Sequence, residues 1–253
     1  MDRDLARVVA NIIAYVAVVA VNAAASIVRF NGQTTADVSN RFPTLVTPAG
    51  YAFIIWGIIY IFLAGFIVYQ ALPAQRRNPR LQRIGWLFVL SSAANIAWIF
   101  LWSYNIFAAT LVAIFILLGS LISIYLLFDI GLVRLPFIEQ WLINAPFSIY
   151  LAWITVASIA NVAVALTAFG WNGFGLAPVV WAVALVTIAT GIAAAVAWTR
   201  VDLAYVAVIV WSLTAIAVRQ AGVREVVLAA WAGSAAVVVV LIIAAVRRGW
   251  VSA

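Results

Sequence analysis

Two apolar stretches of the sequence place aromatic and amide side chains at helical spacing. Asn95 is followed three residues later by Trp98, while Tyr150 is followed three residues later by Trp153 and eight further on by Asn161. Such spacings put the members of each set on one face of a helix. An indole or phenol ring offers a broad apolar surface with a single polar group. The two faces together predict an aromatic pocket that binds a flat hydrophobic molecule through few hydrogen bonds.

A third stretch, TPAGYAFIIWGIIY at residues 47–60, begins with a proline and carries Trp56 and Tyr60 four residues apart. Aromatic rings near the start of an apolar run are typical of membrane-interface anchors. The same rings would form one wall of the pocket if they turned inward, and we expect this orientation. Asn95 and Asn161 also have an alternative, structural interpretation. The side-chain amide of an asparagine inside a membrane more often forms a hydrogen bond between helices than one to a ligand.

The residue types that are missing exclude several kinds of chemistry. The chain has no His, no Cys and one Met, at position 1. This removes the usual protein ligands of zinc, iron–sulfur clusters and most haem, together with nucleophiles activated through His or Cys. The glycines of GWNGFG, residues 170–175, lack the strand-to-helix context of a nucleotide-binding loop. We therefore expect neither a metal site nor an enzyme.

The composition predicts a membrane protein. The chain of 253 residues is 68% hydrophobic and 8% charged, whereas a soluble domain is about 45–50% apolar and about 25% charged. A spanning helix needs about 20 apolar residues. Eight segments meet this length, at roughly 6–28, 49–72, 84–104, 106–128, 139–165, 176–198, 201–218 and 224–246. Their continuous apolar character favours helices over a barrel, so the predicted fold class is an all-α polytopic bundle of about eight transmembrane helices.

The arginines predict the orientation in the membrane. The net charge of +7 is the excess of fourteen arginines over seven acidic residues, and four of the arginines lie in the loop 71–83. Cationic loops stay on the cytoplasmic side. Because successive spans cross the membrane in opposite directions, a cytoplasmic loop 71–83 places both termini of an eight-span chain in the cytoplasm. This topology explains the basic charge without a nucleic-acid partner. The spans hold almost no ionisable residues, which disfavours a proton-coupled pump or an ion channel.

In their order along the chain, these motifs resemble the tryptophan-rich sensory proteins, the family that includes the mitochondrial translocator protein. That family has P-x-W-x-P-P before its second span, W-x-x-x-Y within it, N-x-x-W in the third, and Y-x-x-W followed eight residues later by Asn in the fifth. The matching residues here are Pro43, Pro48, Trp56, Tyr60, Asn95, Trp98, Tyr150, Trp153 and Asn161. The resemblance covers about residues 5–165. The chain departs from the pattern at Leu45, where the loop motif has Trp.

The resemblance implies a five-helix core at residues 1–168 and three additional spans at residues 169–253, as in the longer bacterial relatives, and a bacterial inner membrane. It implies that the nine matching residues bind a tetrapyrrole, a sterol-like molecule or a pigment, for sensing or transport. Without His, Cys or an internal Met, a tetrapyrrole or lipid would be held non-covalently, by stacking and packing.

Two other functions stay open. The chain is alternatively a structural or accessory subunit of a larger membrane complex, with the last three spans docking against a partner. A secondary transporter is the third interpretation, although transporters usually show an internal repeat and we find no convincing one. The expected partners are a hydrophobic small molecule and membrane lipid, together with a homodimer or larger membrane complex.

Overall fold

The computed structural model describes residues 3–42 and 44–249, so Pro43 lies outside the described residues. The α-helices in chain order are α1 (Arg3–Ile27), α2 (Thr35–Arg41), α3 (Ile55–Ala71), α4 (Pro79–Gln82), α5 (Leu87–Ser103), α6 (Phe107–Leu127), α7 (Phe137–Glu139), α8 (Ala145–Ala168), α9 (Pro178–Arg200), α10 (Leu203–Arg219) and α11 (Arg224–Arg247). A 3₁₀ turn at Gly50–Ile54 leads into α3, and a π turn at Gln140–Asn144 joins α7 to α8.

Each predicted segment is helical in the structure, with its ends shifted by a few residues at most. In the described part of the chain, six helices are long and apolar enough to cross a membrane: Arg3–Ile27, Gly50–Ala71, Phe107–Leu127, Phe137–Ala168, Pro178–Arg200 and Arg224–Arg247. The apolar helices α5 and α10 have 17 residues each, about 26 Å of helix, near the lower limit for a span. The prediction of an all-α polytopic membrane bundle is confirmed.

Five of the helices form a closed ring. Helix α1 contacts α3 and α5, α5 contacts α6, α6 contacts α8, and α8 returns to α3. The most enclosed member is α8, because 67% of the apolar window of Phe137–Ala168 is buried, against at most 44% in the other long helices. The aromatic and amide residues of α8 therefore face other helices rather than lipid.

The three C-terminal helices pack on one another, and α10 also lies against α8. Asp202, at the N-cap of α10, joins the two groups of helices. Its carboxylate accepts hydrogen bonds from the Tyr125 hydroxyl of α6 at 2.8 Å, the Ser148 hydroxyl of α8 at 2.5 Å and the Tyr205 N–H at 3.0 Å. The sequence placed Asp202 at a span end, yet it is 7% exposed.

The segment 28–49, which we call the covering loop, lies over one mouth of the ring in all of its described residues, 28–42 and 44–49. Thr34 and Asp37 form a capping box that begins α2, and these hydrogen bonds lower the pKa of Asp37. Gln33 donates to the Ser103 carbonyl of α5 at 2.6 Å. Gln220, which follows α10, donates to the Thr44 and Thr47 carbonyls at 3.3 Å. The covering loop is thus fixed both to the ring and to the C-terminal helices.

Candidate functional site

The rings singled out in the sequence converge inside the five-helix ring. Trp56 of α3 lies at the centre of the cluster. Its ring centroid is 5.8 Å from that of Tyr60, 6.5 Å from Trp98 of α5, 6.0 Å from Tyr150 and 6.2 Å from Trp153 of α8. These separations are those of interacting aromatic pairs. Trp56 and Tyr60 therefore turn toward the interior of the ring.

A cleft opens beside this aromatic cluster, under the covering loop. It is a partly open depression whose walls come from the covering loop, α3, α5 and α8. Five of the residues predicted from the sequence line it: Pro48, Trp56, Trp98, Trp153 and Asn161. Its wall is mostly apolar, with few polar groups, and this is the composition expected for binding a hydrophobic molecule.

The indole N–H of Trp153 is the distinctive polar group of this wall. Trp153 is 3% exposed, and its Nε1 has no hydrogen-bond partner among the described residues. The N–H groups of the two neighbouring indoles do have acceptors. Trp98 donates to Asn161 Oδ1 at 2.8 Å, and Trp102 donates to the Thr35 carbonyl at 3.1 Å. A buried donor without an acceptor costs about 1–3 kcal/mol. An acceptor atom on a molecule in the cleft would remove this cost.

Three of the predicted residues, Tyr60, Asn95 and Tyr150, lie behind the cleft wall rather than in it. Asn22 of α1 donates to Asn95 Oδ1 at 2.8 Å, and Asn95 donates to the Tyr150 hydroxyl at 2.9 Å. This chain of hydrogen bonds connects α1, α5 and α8, and Asn95 is 0% exposed. The Tyr60 ring stacks on Trp56. These side chains position the cleft wall from behind.

We expect Asn95→Ala to lower the free energy of unfolding by about 1–3 kcal/mol, because it leaves the buried Tyr150 hydroxyl without its partner and removes one of the two acceptors of the Asn22 amide, which keeps the Val18 carbonyl. Thermal unfolding in detergent, followed by circular dichroism, measures this change. The matched control is Asn40→Ala, since the Asn40 side chain is exposed and, among the described residues, accepts a hydrogen bond from Arg219 alone. A stable Asn95→Ala variant that loses ligand affinity would contradict the positioning role.

Sequence reasoning missed part of the cleft wall. The lining residues that were not predicted are Ser39, Phe53, Val156, Ala157, Ala160 and Val164; Trp102, which the helical spacing places on the face of Asn95 and Trp98, also lines the cleft. Val156 and Ala160 follow Trp153 by three and seven residues, so their helical spacing was a usable signal. Ser39 comes from α2 and Phe53 from the 3₁₀ turn, where no periodicity points to the cleft.

Comparison with known protein families agrees with this geometry. A family model described as "TSPO-like protein" matches residues 8–244. The chain belongs to the TSPO-like protein family. The match extends through α9, α10 and α11, well beyond the residues on which the resemblance rested. Comparisons with curated proteins and with solved structures found no match.

Membership places this TSPO-like chain among multi-pass membrane proteins that are generally non-enzymatic and bind small hydrophobic molecules. The described residues hold no group of three or more acidic side chains that could bind a metal ion. The chemistry that the cleft offers is therefore stacking on Trp56, Trp98 and Trp153, packing against aliphatic side chains, and one free N–H donor.

Proposed function

We propose that this TSPO-like protein binds a flat hydrophobic molecule with a hydrogen-bond acceptor in the cleft beside Trp56, for sensing or transport. The observation that carries the proposal is the unpaired, buried Nε1–H of Trp153 in an aromatic wall. Buried donors in proteins are nearly always paired. An acceptor such as a carbonyl or carboxyl oxygen pairs with this donor while the rest of the molecule stacks on the indoles.

The ligand class that fits this wall is a tetrapyrrole, a sterol-like molecule or a pigment. The wall presents broad indole faces, which suit planar rings. Two sides of the cleft come from α5 and α8, and the covering loop contributes Ser39 and Pro48. A tetrapyrrole is held here by stacking and by the hydrogen bond to Trp153, with no bond to iron from a protein side chain.

The membrane arrangement that accompanies this function has eight spans, including the shorter α5 and α10, with both termini in the cytoplasm of a bacterial inner membrane. We assign residues 1–168 to a five-helix core and residues 169–253 to three additional spans. The closed ring of α1, α3, α5, α6 and α8 and the packing of α9, α10 and α11 on one another support this division. The arginine-rich loop 71–83 supports the orientation.

The experiment that tests the proposal titrates protoporphyrin IX into the protein in lipid nanodiscs and follows tryptophan fluorescence. We expect saturable quenching at one ligand per chain, and competition by molecules that share the flat ring. Empty nanodiscs control for partitioning into lipid, and Trp86→Phe controls for an indole outside the cleft, since Trp86 is 54% exposed.

Quenching that never saturates would contradict ligand binding in the cleft. A stoichiometric protein partner that copurifies with a chain unable to bind any ligand would instead favour the accessory-subunit function. If binding is saturable, uptake of the porphyrin by proteoliposomes separates transport from sensing.

A further inference from the structure

The cleft is narrow, so one of its walls must move before a ring-shaped ligand can enter. Its side chains leave room for only a few water-sized groups. Three of the walls are the helices α3, α5 and α8, and each of these packs against at least two other helices. The fourth wall is the covering loop, which contributes Ser39 and Pro48. Loops open at a lower free energy than packed helices do, so the covering loop is the wall that can move.

The two halves of the covering loop are held by different parts of the bundle. The first half is fixed to the five-helix ring, because Gln33 donates to the Ser103 carbonyl of α5 and the Trp102 indole of α5 donates to the Thr35 carbonyl. The second half, residues 44–49, is held by α10, one of the three additional helices. The second half can therefore separate from the cleft while the first half stays in place.

Three hydrogen bonds fix the second half to α10. The Gln220 side chain, at the C-cap of α10, donates to the Thr44 and Thr47 carbonyls at 3.3 Å each. The Ala49 N–H donates to the Ala215 carbonyl of α10 at 3.0 Å. A carbonyl oxygen within a helix has a second lone pair for such a donor. The small side chain of Ala215, which is 0% exposed, permits this close approach of two backbones.

These hydrogen bonds lie on both sides of Pro48, which lines the cleft. The Thr47 carbonyl comes directly before the proline and the Ala49 N–H directly after it. Proline has a fixed φ and no N–H of its own, so its neighbouring peptide groups set its place. Helix α10 also holds the chain beyond Ala49, because the ring of Trp211 packs edge-on against that of Tyr51 at 5.1 Å. The position of Pro48 in the cleft wall thus depends on α10.

We propose that α10 controls access to the cleft, with Gln220 as the positioning residue that keeps Pro48 in the cleft wall. When the hydrogen bonds to Gln220 and to the Ala215 carbonyl open, residues 44–49 move away and a ring-shaped ligand enters or leaves. When these bonds form again, the ligand is enclosed. This inference rests on the proposed function, and it gives a role to the additional helices, for which sequence reasoning found none.

Gln220→Ala removes the donor of two of these hydrogen bonds, and hydrogen–deuterium exchange in nanodiscs without ligand measures the result. We expect the backbone amides of residues 44–52 to exchange about tenfold faster, because two hydrogen bonds of ordinary strength are lost. The amides of α2, in the half that the ring holds, should keep their wild-type rates. Gln82→Ala is the matched control, since Gln82 is exposed in α4 and donates to Asp4; it should change neither set of rates.

Protoporphyrin IX is the probe for the second measurement, in which tryptophan fluorescence after rapid mixing gives the association and dissociation rates in nanodiscs. If the ligand passes the covering loop, Gln220→Ala should raise both rate constants about tenfold and change the Kd less than about threefold. The reason is that easier opening lowers the barrier to exchange and leaves the bound state as it was. A residue that only completed the cleft wall would change the dissociation rate alone.

The outcomes separate the two proposals. If protoporphyrin IX does not bind the wild type, the proposed function fails and control of access fails with it, whereas amide exchange still decides whether α10 holds the covering loop. If residues 44–52 of Gln220→Ala exchange at wild-type rates, control of access is overturned. It is also overturned if the ligand rates stay unchanged or only dissociation accelerates. Faster amide exchange together with a parallel rise of both ligand rates supports the proposal.

A second variant of Gln220 keeps the test decisive. Gln220→Glu has nearly the same size and loses the N–H donor, so it should change amide exchange and both ligand rates in the same direction as Gln220→Ala. It takes the place of Gln220→Ala if that variant does not fold, as judged by thermal unfolding.

Discussion

Replacing Asp202 with Ala is expected to lower the free energy of unfolding by about 2–4 kcal/mol. The carboxylate is 7% exposed and accepts hydrogen bonds from Tyr125, Ser148 and the Tyr205 N–H. Its removal leaves these donors buried without an acceptor, at a cost on the order of 1 kcal/mol or more for each. Removing a desolvated charge offsets part of that cost. The variant therefore weakens the attachment of α10 to α6 and α8.

Thermal unfolding in one detergent, followed by circular dichroism, measures the effect of this change. Glu225→Ala is the matched control, because Glu225 is an exposed acidic residue in the first turn of α11 and its loss should cost less than about 1 kcal/mol. Asp202→Asn keeps one acceptor oxygen and should fall between the two variants. Equal stabilities of Asp202→Ala and Glu225→Ala would show that the carboxylate does not hold the two groups of helices together.

Trp153→Phe is expected to weaken binding of an acceptor-bearing ring ligand about tenfold, the effect of losing one buried hydrogen bond of ordinary strength. Phenylalanine keeps an aromatic ring in the wall, beside Phe53 and Trp56. The unliganded protein should be as stable as the wild type or more so, because the substitution removes a buried donor that has no acceptor. Titration in nanodiscs and thermal unfolding measure the two quantities.

Trp98→Phe makes the same chemical change in the same cleft and should give the opposite pattern. The Trp98 N–H already donates to Asn161 Oδ1, so it is not free to bind a ligand. Its loss leaves the buried Asn161 oxygen unpaired, which should reduce stability by about 1–3 kcal/mol and change ligand affinity much less. If both variants lose affinity equally, the free donor of Trp153 has no special role in binding.

The helices were predictable because the physical requirement on each one is local. A chain segment in hydrocarbon must satisfy its own backbone hydrogen bonds and present apolar side chains to lipid. This requirement marks every span in the sequence, and α9 at Pro178–Arg200 was predicted at 176–198. Helical periodicity likewise predicted that Trp98 and Trp153 share an orientation with Asn95 and Tyr150, because residues three or four apart lie on one face whatever the neighbouring helices are.

Local periodicity does not distinguish a residue that lines the cleft from one that lies behind it. Asn95 and Trp98 lie on one face of α5, yet Asn95 bonds to α1 and α8 while Trp98 lines the cleft. That difference depends on which helices pack on either side of α5. The environment of Arg7 in α1 also depends on its neighbours in the fold. Its position in the sequence indicates a residue at the membrane surface, yet it is buried and its guanidinium donates to the Leu81 carbonyl at 2.7 Å.

By itself, the sequence determined that this is an all-α membrane protein with its aromatic residues concentrated on a few helix faces, because hydropathy and periodicity are properties of each helix alone. Only the tertiary structure decided that Trp153 keeps a free N–H while Trp98 does not, and that Asp202 turns inward. Hydrogen-bond partners and cavities arise between helices that are distant in the chain, so no local pattern specifies them.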